Sequence, residues 1–154
     1  MINNIVKGST RSTKNRADVL VTGTFNVLHA GHCELLEFAS TFGPVTVGIN
    51  GDEYQVGKYG ELAVAAIHRA KVLTSCRFVN EVVIFTEQTP SRLILQLRPR
   101  IYIRGPDYQG VELPESDALK SVGAQVIIQQ VDKLFSGGEL SRGFPDWLLG
   151  INSF

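Results

Sequence analysis

The chain has 154 residues, 44% of them hydrophobic, and a formal net charge of zero. That length holds one domain with a real core, and the balanced charge gives no reason to expect nucleic acid or an acidic membrane as a partner. No apolar run approaches the ~20 residues that span a bilayer, no signal-peptide segment is apparent, and two cysteines, Cys33 and Cys76, are too few for a disulfide scaffold and read as reduced thiols of a cytoplasmic protein.

Residues 1–17 are polar, without apolar periodicity, and basic through Lys7, Arg11, Lys14 and Arg16. They read as a flexible leader before a single domain over residues 18–154. Val19-Leu20-Val21 reads as a short buried strand. Residues 32–42 read as a helix with Leu35, Leu36 and Ala39 on one face, stopped by Gly43-Pro44. Residues 45–49 give a second strand, residues 50–61 a polar, glycine-rich connection, and residues 64–78 a second helix. Residues 81–85 read as the third strand. Thr89-Pro90 reads as a helix start, a capping hydroxyl followed by proline where a missing N–H costs nothing. That helix runs over residues 91–97 and ends at Pro99. Ile101-Tyr102-Ile103 forms a fourth strand, residues 114–122 a fourth helix, and residues 125–131 a fifth strand. The end, residues 139–154, reads as a short helix and an apolar tail with Trp147-Leu148-Leu149.

Strands alternating with helices predict an α/β domain: a Rossmann-like three-layer α/β/α arrangement around a five-stranded parallel sheet, order 3-2-1-4-5. In such sheets ligands sit beyond the carboxyl ends of the strands where the order reverses. Strands one and four are neighbours there. Strand one ends in Gly23-Thr24-Phe25 and strand four in Arg104-Gly105-Pro106-Asp107-Tyr108, so two polar, glycine-containing loops are predicted to meet.

Two of the three histidines, His29 and His32, open the helix after the first of these loops. A helix N-terminus presents unpaired N–H groups and partial positive charge, which favour phosphate. Gly31 lets a phosphate approach the backbone, and both imidazoles can donate to a charge-rich transition state. Two structural histidines are the plain alternative. Zinc is a poorer one, because the neighbouring side chains diverge and no second ligand cluster is present; no metal-ligating residue is assigned.

The run from Gly23 to His32 resembles the signature turn of the cytidylyltransferase-like nucleotidyltransferases, Gly-Thr-Phe-Asp followed by His-x-Gly-His. The resemblance extends over about residues 18–140. Gly48-Ile49-Asn50-Gly51-Asp52 is similar to the end of the family's second strand. Thr89-Pro90-Ser91-Arg92-Leu93-Ile94, with Leu97 and Pro99, and then Gly105-Pro106-Asp107-Tyr108, resemble the branch that makes nucleotide-activated heptose. The glycerol-3-phosphate cytidylyltransferase branch shares the first motif and less of the middle one.

The resemblance implies that an acceptor phosphate attacks the α-phosphorus of a nucleoside triphosphate, ATP or CTP, and that pyrophosphate leaves. The acceptor would be a sugar or polyol phosphate, with a heptose 1-phosphate and ATP preferred and glycerol 3-phosphate with CTP as the alternative. Magnesium would accompany the triphosphate. His29 and His32 would hold the α- and β-phosphate oxygens, with Gly23, Thr24, Phe25 and Gly31 lining the triphosphate site. Lys58, in the polar connection, would bind the acceptor phosphate, a solvated lysine being the alternative. Arg69 matches an arginine that faces the substrate phosphates; its alternative is a surface ion pair. Gly105 and Asp107 would meet the nucleotide, Asp107 alternatively capping its turn. A homodimer is implied. Three departures stand out: Asn26 for the usual aspartate, Arg100 for the usual acidic residue after Pro99, and Ser136-Gly137-Gly138 for a final Ser-Thr-Thr turn. Ser136 and its neighbouring N–H groups remain for the triphosphate. The departures also admit a nucleotide-binding module without turnover.

Overall fold

The computed structural model describes residues 2–7, 16–60 and 64–130. Its strands are β1 (Ile2–Lys7), β2 (Val19–Gly23), β3 (Val45–Asn50), β4 (Glu81–Phe85), β5 (Ile101–Arg104) and β6 (Gln125–Ile128). Its helices are α1 (Ala30–Ser40), α2 (Asp52–Tyr59), α3 (Ala66–Thr74), α4 (Ser91–Leu97) and α5 (Ser116–Val122), with a short 3-10 turn at Pro106–Tyr108. Ser136, the two glycines after it and the tail with Trp147 lie outside the described residues.

The strands form one sheet in the order β1-β4-β3-β2-β5-β6. The five from β2 to β6 pair in parallel, which gives the predicted 3-2-1-4-5 order. Side chains alternate across the pleat, so each strand feeds two cores. Val19, Val21, Val82, Ile84, Ile101 and Ile103 pack under α1 and α3. Leu20, Val83, Phe85 and Tyr102 pack under α4 and α5. Both faces are covered, which is why the strands read as continuous apolar runs. No helix among the described residues is long and apolar enough to cross a membrane.

The structure corrects the sequence reading at some places and completes it at others. Ile2–Lys7, inside the stretch read as a leader, adds an antiparallel edge strand beside β4; Ile2, Ile5 and Val6 supply β-branched residues without the strict alternation that marks a strand. The connection after β3 contains helix α2, which has no apolar stripe. Asp52 and Glu53 in its first turn, Lys58 in its last, and Gly60 in a left-handed cap at φ 79 define it instead. Thr89 does not cap α4: its hydroxyl meets Ser91 Oγ at 3.0 Å, and Pro90 occupies the cap position. Arg100, a departure unexplained by the sequence, donates from Nη2 to the Phe42 carbonyl at 2.7 Å and ties the end of α1 to the sheet.

Candidate functional site

The carboxyl ends of β2 and β5 lie side by side, so the two loops predicted to meet there leave neighbouring strand ends. Arg104, the last residue of β5, donates from Nη1 to the Thr22 carbonyl at 2.9 Å and to Thr22 Oγ1 at 2.7 Å. Its guanidinium carbon lies 3.7 Å from the centroid of the Tyr108 ring. Gly105 and Asp107 belong to that same turn, with Gly105 just before the 3-10 segment and Asp107 exposed within it.

On the β2 side, the chain reverses through Phe25, which adopts φ 51. That left-handed conformation is strained for a bulky residue and is held by its surroundings. The Phe25 ring folds back into the core, 7% exposed. A Cβ at Gly23 would lie 2.9 Å from that ring, so Gly23 makes room for it.

His29 and His32 stack at the start of α1, ring centroids 3.9 Å apart and 24° between planes, and the Phe25 ring lies 4.8 Å from His32. Gly31 has a role the sequence did not reveal. A Cβ there would meet the His29 ring at 3.1 Å, so the glycine lets the first imidazole lie back over the helix start. No side chain caps α1 and no acidic residue occupies its first turn. The helix dipole and the first N–H groups are therefore left for an anion.

Both imidazoles favour the neutral form. Burial holds His32 down at about 4, with the neighbouring His29 adding to the effect and a backbone hydrogen bond at Val27 opposing it. Burial also lowers His29. The Nδ1 atoms of both rings are buried without a hydrogen-bond partner among the described residues. A pair of this kind avoids charge when empty and gains it, or donates from N–H, when negative charge arrives.

Arg69 is buried, 1% exposed, and its guanidinium faces protein carbonyls. Nε donates to Val64 O at 2.9 Å, Nη1 to Thr24 O at 2.9 Å and Nη2 to Asn50 O at 2.8 Å. With the Gln55 amide oxygen turned to the guanidinium, it accepts from Nη2 at 2.9 Å and Nε at 3.0 Å, and its nitrogen donates to Asn26 Oδ1 at 3.1 Å. Asp52 supplies the countercharge at 3.6 Å and also accepts from the Ala66 N–H at 2.6 Å. Arg69 thus locks the Thr24 turn, the end of β3 and the entry to α3 together. This replaces the surface ion pair as the plain reading of Arg69. Asn26, the neutral departure in the first motif, belongs to the same cluster through Gln55.

Thr24 has its hydroxyl engaged as well, accepting from Asn50 Nδ2 at 3.1 Å. Lys58 lies on α2 rather than in a loop, exposed, with its ammonium 3.5 Å from Tyr54 Oη and 5.6 Å from that ring's centroid. Among the described residues no group of three His, Cys, Asp or Glu side chains is placed to hold a metal. The sequence reading missed Asn50, Asp52, Gln55 and the bridging role of Arg104. For Arg104 the signal was present, as a basic residue entering the glycine-containing turn.

The cytidylyltransferase-like family matches residues 20–136. A bifunctional protein HldE from Streptomyces coelicolor is 39% identical over 113 residues, 71% of this chain and 24% of that protein. A bifunctional protein HldE from Campylobacter curvus is 43% identical over 107 residues, 68% of this chain and 23% of that protein. The chain therefore spans about a quarter of the length of these curated relatives. Among solved structures, the lipopolysaccharide core biosynthesis protein of Thermoplasma volcanium shares the fold at TM-score 0.60 and 20% identity, covering 75% of this chain and 98% of that one.

Proposed function

The chain belongs to the cytidylyltransferase-like family, and from that premise we propose that it transfers a nucleoside monophosphate from ATP or CTP to a sugar or polyol phosphate. Similarity to HldE proteins favours ATP with a heptose 1-phosphate as acceptor. The observation that carries the reading is the stacked, neutral His29–His32 pair at an uncapped helix start.

In this reaction an acceptor phosphate oxygen forms a bond to the α-phosphorus, the bond from that phosphorus to the bridging oxygen breaks, and pyrophosphate departs with the electron pair. Positioning and charge stabilisation supply the catalysis. His29, His32 and the first N–H groups of α1 meet the charge that grows on the departing phosphates. Gly23, Thr24 and Phe25 shape the turn beside them, and Gly105 and Asp107 flank the nucleotide across the switch point. Arg69 positions rather than touches, and Lys58 and Ser136 contribute to acceptor and triphosphate binding. Magnesium would accompany the triphosphate and would supply positive charge to its phosphates. The proposal includes a homodimer in the cytoplasm.

The test is pyrophosphate release with magnesium, ATP or CTP, and a panel of heptose, other sugar and polyol phosphates. Release that depends on both nucleotide and acceptor is expected, greatest with ATP and heptose 1-phosphate. Nucleotide binding with no release for any pair would make the protein a binding module instead, a reading that Asn26 favours.

Gly31→Ala gives a second expected outcome. Alanine favours the helix by about 1 kcal/mol, against a crowded His29 ring, so the melting temperature should stay within a few degrees. Displacing the ring should still lower turnover by about tenfold to a hundredfold. Unchanged turnover would show that the ring position is immaterial.

A further inference from the structure

Behind the nucleotide turn runs a buried chain of hydrogen bonds that the proposed reaction does not use. Glu115 is 2% exposed and Tyr102 wholly buried; Thr22 is 6% exposed. Tyr102 Oη donates to Glu115 Oε1 at 2.5 Å, lies 2.6 Å from Thr22 Oγ1, and Thr22 Oγ1 accepts from Arg104 Nη1 at 2.7 Å.

The direction of every bond is forced. A phenol carries one proton, and the Tyr102 proton goes to the Glu115 oxygen. Tyr102 must then accept from Thr22, whose single hydroxyl proton is thereby spent. Thr22 in turn accepts from Arg104, which only donates. The chain therefore has a cation at its head, a carboxyl oxygen at its tail and one possible orientation between. Such a series polarises each bond in the same sense, and a break anywhere leaves a buried group unpaired.

Its head is placed where it matters. Arg104 bridges to β2 just before the Gly23 turn, and it stacks on Tyr108 in the turn that carries Gly105 and Asp107. We propose that Glu115, Tyr102 and Thr22 are positioning residues that fix the Arg104 guanidinium, and through it the Gly105–Tyr108 turn, for a nucleoside triphosphate. This rests on the transferase reading for its ligand but not for its geometry.

The test compares Tyr102→Phe, Thr22→Val and Thr22→Ser with the native protein. Three quantities are read: amide hydrogen exchange at Asp107, Tyr108 and Gln109, KM for the nucleoside triphosphate, and KM for the acceptor phosphate. Tyr102→Phe and Thr22→Val each remove one link next to a charged group, so exchange in the turn and KM for the triphosphate should both rise about tenfold. KM for the acceptor should not move, and Thr22→Ser, which keeps the hydroxyl, should restore native values. A lower melting temperature with unchanged exchange in the turn and unchanged triphosphate KM would overturn the proposal. If the native protein releases no pyrophosphate with any pair, the transferase reading fails. The exchange measurement then decides the chain alone: faster exchange at those amides supports it, and native exchange overturns it.

Discussion

Replacing His32 with alanine is expected to lower turnover by about 10²–10³-fold, the usual cost of losing one donor aimed at developing charge. The ring is not a replaceable surface imidazole. It lies between His29, 3.9 Å away, and Phe25, 4.8 Å away, and so has one orientation over the start of α1. Its removal also frees His29 to rotate. The fold should persist, because the strands beneath are packed independently of this ring and removing it gives up only its backbone hydrogen bond at Val27. Circular dichroism and melting temperature near native values, with kcat for pyrophosphate release down by that factor, are the expected results. Native kcat would remove His32 from the reaction.

Arg69→Met should have the largest effect on stability. The substitution keeps an unbranched apolar stem but leaves the carbonyls of Thr24, Asn50 and Val64 without their guanidinium donors. It also removes the cation opposite Asp52. Asp52 is 45% exposed and regains water, so the cost is that of the stranded carbonyls, about 1–3 kcal/mol for each buried acceptor left without a donor, measurable as a shift in the midpoint of urea unfolding. Arg69→Lys should recover little, since one ammonium cannot span carbonyls of three separate segments in the planar fork that arginine provides. A loss below about 1 kcal/mol for Arg69→Met would mean that the three segments hold their places without the arginine.

The parallel sheet was readable because Val19-Leu20-Val21, Ile101-Tyr102-Ile103 and the runs between them are apolar on both faces. The neighbouring placement of β2 and β5, the strands that lead into the Gly23 and Gly105 loops, followed from the alternation of elements. Helix α2 was not readable, since its stability comes from terminal charges and the Gly60 cap rather than from an apolar stripe; Val56, its exposed valine, points to no core. The role of Arg69 was hidden for a different reason. An arginine after a histidine on a helix looks the same whether it faces phosphate or carbonyl, and its partners at residues 24, 50 and 64 are joined only by the fold. Gly31 reads in the sequence as a place where a phosphate approaches the backbone; in the structure the group that lies against it is the His29 ring. Tyr102 looked like one more apolar strand residue, although a buried hydroxyl always requires a partner.

The central claim is that two neutral, stacked imidazoles form a cradle for phosphate, and it has a direct pH signature. The folded-state value for His32 lies below its ordinary 6.5, at about 4, mainly through burial. Its neutral form therefore contributes stability that is complete above pH 6.5 and is lost as pH falls towards 4. Bound triphosphate reverses the balance by placing negative charge against the rings, so binding should take up protons and tighten as pH falls from about 6 towards 4. The measurement is an NMR titration of the His32 ring, with the free protein and with a non-hydrolysable ATP or CTP analogue. A midpoint near 4 in the free protein, raised by more than about one unit when the analogue binds, is the predicted result; a midpoint near 6.5 that the bound analogue leaves unmoved would contradict it.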